Sequence, residues 1–201
     1  MEQLTIDDKG VGYLKLNNFD TGGAAKQAID NAMQAVHNSC ALILDFTELD
    51  GGDINTAEHL LSYFFPSEQS FGRLANDNAS DYLALMSQPT LESERVKADM
   101  PVVLLTSPFM QASGEFFAYQ LKQRPQTTLI GRATMGVSTW LESFNLPLGL
   151  QIDMPVAHYQ DPNGNNWQHI GVTPDIDIAL EASLTEAKRM TAQWCVKINS
   201  W

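Results

Sequence analysis

Two short stretches carry residue types that acyl transfer uses, and a third adds a histidine. Ala112-Ser113-Gly114-Glu115 follows the apolar run Pro101 to Thr106 and opens a segment of helical spacing, so Ser113 stands at a helix start. A hydroxyl there is close to unpaired backbone donors, the setting a serine nucleophile needs, although serine is also a common helix N-cap. Gly51-Gly52-Asp53 closes a second apolar run, and its N–H groups can point at an anion as an oxyanion hole requires. Gly51, Gly52 and the Ser113 amide are the candidate donors. His169 is a possible base in Trp167-Gln168-His169-Ile170-Gly171, whereas His37, His59 and His158 read as structural residues of a helix end, a helix face and a strand.

The elements that must position these groups alternate in the manner of an α/β domain. Val11 to Leu16 reads as a strand, and Ala25, Ile29, Ala32, Met33 and Val36 make one face of a helix. Ala41 to Leu44 is a continuous apolar run of the kind buried in parallel sheets, and Thr56 to Phe64 is a helix stopped by Pro66. Residues 66–99 lose periodicity and read as a surface insertion, with a short helix near Ser80 to Met86. Pro101 to Thr106 and Thr127 to Gly131 are strands, and the helix between them, Glu115 to Lys122, makes a right-handed crossover. Leu146, Leu148, Leu150, Ile152 and Met154 alternate towards a tight turn at Asp161 to Asn165, which predicts a β-hairpin, and a closing helix runs from about Leu180 to Val196.

Bulk properties exclude several functions. With 201 residues, 44% of them hydrophobic, the chain suffices for one domain with a real core. A net charge of -12 repels polyphosphates and anionic lipids, so neither nucleic acid nor a membrane surface is an expected partner. No apolar stretch is long enough to cross a bilayer, and Met1 to Asp8 has no signal-peptide character. Cys40 and Cys195 have no metal-ligand spacing and read as packed residues, with a bridge between them left open. No metal or cofactor is expected.

Five segments arrive in an order that resembles the tail-specific, or C-terminal processing, serine peptidases and their interphotoreceptor retinoid-binding-protein relatives. They are Val11-Gly12-Tyr13-Leu14-Lys15-Leu16; Ala41-Leu42-Ile43-Leu44-Asp45 with Gly51-Gly52-Asp53; and Val103-Leu104-Leu105-Thr106-Ser107-Pro108 with Ser113-Gly114-Glu115-Phe116-Phe117-Ala118-Tyr119. Leu129-Ile130-Gly131 with Thr134 and Gly136, and then Gly171-Val172-Thr173-Pro174-Asp175-Ile176, complete the series. The resemblance implies a crotonase or Clp-protease-like ββα core with a C-terminal β-hairpin region and closing helix, without the family's N-terminal domain. It also implies hydrolysis of peptide or unfolded protein C-termini, a possible oligomer, and a periplasmic or otherwise extracytoplasmic location.

Carried over residue by residue, the family's catalytic set is altered. Its serine falls on Ala112, with Ser113 one place later, and a one-residue slip turns a helical side chain by roughly 100 degrees. Its lysine base falls on Val137, which cannot accept a proton, and the acidic position of the related branch falls on Gln168. The Arg and Asn that precede the family's glycines are Thr47 and Leu49 here. Two readings follow: a peptidase acting through a displaced Ser113, or a non-catalytic domain that binds a peptide tail or apolar ligand in the retained cleft.

Overall fold

The computed structural model describes residues 2–76 and 82–198. The chain opens with an antiparallel pair, β1 (Gln3–Ile6) and β2 (Val11–Lys15), followed by α1 (Gly23–Val36), β3 (Ala41–Asp45) and α2 (Ile54–Ser62). Next come β4 (Ser70–Ala75), β5 (Tyr82–Met86), β6 (Val102–Thr106), α3 (Ser113–Leu121) and β7 (Thr127–Gly131). Last are β8 (Thr139–Asn145), β9 (Gln151–Gln160), the two-residue β10 (Ile176–Asp177) and α4 (Leu180–Ile198). The main sheet has the order β1-β2-β3-β6-β7-β10, parallel from β2 onward.

The continuous apolar runs form its centre because both faces are covered. On β3, Leu42 and Leu44 enter a large core with α1, α2 and α3, while Ala41 and Ile43 face α4 on the other side. The mixed α/β expectation holds at this level.

The region expected to be a surface insertion instead builds a second, antiparallel sheet of order β5-β4-β9-β8. Phe71, Leu74 and Leu85 are buried, and residues 82–86 are a strand rather than a helix; Ser80 and Asp81 lie outside the described residues. A β-bulge between Ser70 and Gly72 breaks the two-residue period of β4, which hides the strand from a periodicity reading. Gly72 has φ 106, and a Cβ there would lie 2.2 Å from the Gln160 carbonyl oxygen, so the bulge admits only glycine.

The expected hairpin also turns elsewhere. Its strands are β8 and β9, and the reversal falls at 146–150, inside the alternating leucines, through a 3₁₀ turn at Pro147–Gly149 with Leu148 at φ 68. Asp161 closes the later turn by accepting from the Asn163 and Asn165 N–H groups at 2.8 and 2.7 Å, and a loop follows it.

Cys40 and Cys195 form a disulfide, which corrects their reading as packed thiols. The bridge ties the end of α4 to the entrance of β3 across a separation of 155 residues. Closing a loop of that length lowers unfolded-chain entropy by about 5 kcal/mol at room temperature. On the other face, Asp30 of α1 is buried and accepts from the Tyr63 hydroxyl at 2.6 Å while meeting His59 Nε2 of α2 at 2.5 Å. His59 Nδ1 lies 2.8 Å from Gln88 Oε1, so this histidine has the structural role expected of it.

Replacing Asp30 with Ala strands both His59 and Tyr63, with an expected loss of about 3 kcal/mol in urea unfolding. The Cys195→Ser variant is expected to unfold about 10 °C lower than the oxidised protein by differential scanning calorimetry, and reducing agent should shift only the parent.

Candidate active site

The loops that leave the carboxyl ends of β3, β6 and β7 converge, the usual place for a site in an α/β sheet. Ser107 Oγ donates to the Thr47 carbonyl at 2.6 Å, and Gln111 Nε2 donates to Asp50 Oδ1 at 2.6 Å, which locks the first two loops together. Gly51 and Gly52 both lie in the left-handed region. A Cβ on Gly52 would sit 2.3 Å from the Phe19 carbonyl oxygen, and one on Gly51 would meet the Gln111 carbonyl at 3.3 Å and Ala112 Cβ at 3.7 Å. The double-glycine turn therefore lies directly against the start of α3. No backbone hydrogen bond engages the Gly51, Gly52 or Ser113 N–H groups among the described residues.

Ala112 occupies the N-cap of α3 with φ 48 and ψ −115, a conformation that costs an L-residue about 1–3 kcal/mol. The turn is held by Phe116 N–H donating to the Ala112 carbonyl and Gly114 N–H to Gln111, both at 2.9 Å. Gly114 in turn is pressed by buried Leu49, whose Cδ2 would lie 2.4 Å from an added Cβ. Ser113 comes one residue later and faces inward: its Oγ is fully buried and donates to the Gly52 carbonyl at 3.0 Å.

Glu115, on the same helix, is buried and anchors the third loop. Its carboxylate accepts from the Thr134 hydroxyl, from Gly136 N–H at 2.6 Å and from Val137 N–H at 2.7 Å. Burial pushes its pKa up, and these donors pull against that shift. Sequence reading missed this role, although a glutamate in the first turn of an apolar helix is a signal for it.

Val137 thus has a fixed backbone, and it borders the same small cavity as Ala112. Ile54, Leu74, Phe116 and Trp140 also border this space, with Ser138 and Thr139, and at about 10 Å³ it is at the lower limit of what would admit one water. Gln168 lies beside it. Its Oε1 accepts from the Ser138 N–H and hydroxyl at 2.7 and 2.9 Å, fixing the residue that follows Val137. His169 is exposed at φ 64, and its N–H donates to the Gly136 carbonyl at 2.8 Å. The structure therefore gathers Gly51, Gly52, Ala112, Ser113, Val137 and Gln168, leaves His169 on the rim, and keeps His37, His59 and His158 in other contacts.

The strain at position 112 is measurable. Ala112→Gly is expected to raise stability by about 1 kcal/mol in chemical denaturation, net of the entropy glycine adds to the unfolded chain.

Comparison with known proteins accounts for the arrangement. The model of peptidase family S41 matches residues 10–178. A carboxyl-terminal-processing protease of Picosynechococcus is 23% identical over 175 residues, covering 85% of this chain and 40% of that protein. The carboxy-terminal processing protease CtpB of Bacillus subtilis is 23% identical over 86% of this chain and 35% of its own length. This chain thus spans well under half of these relatives. Among solved structures, one from Bacteroides fragilis described as an S41 protease superposes with TM-score 0.81 at 18% identity, over 95% of this chain and 57% of that one. The photosystem II D1 C-terminal processing protease superposes with TM-score 0.69 at 20% identity, over 93% and 49%. The chain belongs to peptidase family S41.

Proposed function

We propose that this S41 domain is non-hydrolytic and uses the retained cleft to hold an extended peptide or unfolded protein C-terminus. The observation that carries this reading is that Ala112 and Val137, the positions matching the family's serine and lysine, border one small, mainly apolar cavity and neither side chain carries a nucleophile or base. A hydrocarbon pair can neither attack a carbonyl nor take its proton. The rival reading, a displaced Ser113 nucleophile, is disfavoured by its complete burial and its bond to the Gly52 carbonyl.

What supports binding is the backbone. The N–H groups of Gly51, Gly52 and Ser113 sit at the start of α3, where the helix dipole favours a carbonyl or terminal carboxylate. The crotonase-like ββα core, with its hairpin and closing helix, is the fold on which this reading rests. The Cys40–Cys195 disulfide supports an extracytoplasmic location, since such bridges persist in oxidising compartments.

Incubation with a fluorophosphonate probe followed by intact mass is expected to give no adduct on the wild-type chain. Ala112→Ser combined with Val137→Lys restores nucleophile and base, and the apolar cavity would depress the new lysine's pKa as a general base requires. This variant is expected to label at position 112. An adduct on wild-type Ser113 would overturn the proposal, and labelling of the double variant with no peptide binding by either protein would remove the binding half of it.

A further inference from the structure

The β8–β9 hairpin presents an apolar face that nothing among the described residues covers. Opposed residues of an antiparallel pair share a face. The register Glu142↔Met154 and Phe144↔Ile152, continued by the Leu146 N–H donating to the Leu150 carbonyl at 2.8 Å, sets Phe144, Leu146, Leu150, Ile152 and Met154 on one side. The other side carries Leu141, Ser143, Asn145, Gln151, Asp153 and Pro155. Strand β4 supports β9 only from His158 to Gln160, so residues 141–155 project as a two-stranded arm, every one of them exposed.

Its stripe is large for a free surface. The five side chains are 41–60% exposed, and Leu148 at the tip is 98% exposed. Together they make a patch on the order of 600 Å², at the upper end for a monomer.

We propose that this stripe is a homodimer interface, packed against the same face of a second copy about a twofold axis. Three features favour that occupant. A surface that pairs with itself needs no separate partner to have evolved, and two such patches bury on the order of 1,200 Å², where stable specific interfaces begin. Two copies of a chain with net charge -12 repel each other, so contact is favoured where charge is absent; on the stripe face only Glu142 is charged, at its root. With the two arms antiparallel, Glu142 of each copy lies near the partner's uncharged tip. A lipid surface fits less well, because residues 139–160 contain no Lys or Arg to meet headgroups.

Sedimentation velocity of the full chain at micromolar concentration tests this. The expected mass is twice that of the chain, with tighter association at higher salt because screening relieves the repulsion. Phe144→Asp with Ile152→Asp should weaken dimerisation at least about 100-fold, while Leu141→Asp on the opposite face should leave it intact. Should the double variant fail to fold, Leu148→Asn decides, since that side chain is almost wholly in solvent and its loss should still weaken the dimer. A monomeric wild type overturns the proposal, and its flotation with phosphatidylcholine vesicles would assign the stripe to lipid. A dimer unchanged by the stripe substitutions overturns it as well.

Discussion

The Glu115 carboxyl group is buried and three segments satisfy it together, and the geometry of the site follows from how they do it. Burial raises the cost of ionising it, and the Thr134 hydroxyl with the Gly136 and Val137 N–H groups offsets that cost. Thr134 passes the constraint on, because its Oγ1 also accepts from the Val172 N–H at 2.7 Å. Gly171 must then be glycine: a Cβ there would lie 2.3 Å from the Thr134 carbonyl oxygen. Helix α3, the loop after β7 and the segment entering β10 are thus placed by one buried carboxyl group and its hydrogen bonds.

Under the proposed non-hydrolytic reading, that arrangement lets the backbone of the site stand without a nucleophile or base. The strained turn at Ala112 is closed by main-chain bonds, and the glycine turn beside it is held by the Phe19 carbonyl and the Ser113 hydroxyl; neither depends on a side chain at position 112 or 137. A lysine at position 137 would have to be desolvated in an apolar cavity, whereas Val137 sits there at no electrostatic cost.

Much of the main sheet was legible because β3 and β6 are unbroken apolar runs and α1 and α2 carry clear helical faces. The second sheet was not, since the bulge at Gly72 upsets the period of β4 and one of its two pairing partners, β9, lies more than eighty residues away. Distance in sequence hid the disulfide for the same reason. At the site, the motif order named residues that the fold brings close together, but two features of their packing were not legible. The inward rotamer of Ser113 and the shared cavity of Ala112 and Val137 are products of tertiary packing, and no spacing rule encodes them.

The arm and the site are mechanically continuous. Val137 lines the cavity, Ser138 is clamped by Gln168, and β8 begins at the next residue, Thr139. The Ser138 carbonyl accepts from the Tyr159 N–H at 2.9 Å, and buried Tyr159 stacks on Trp167 with ring centroids 4.6 Å apart, so the root of the hairpin and the wall of the cavity share the same aromatic packing. Trp140, one residue into β8, faces the cavity as well. The root of the arm thus begins two residues from Val137, and a register irregularity between Trp140 and Leu141 separates that root from the exposed stripe.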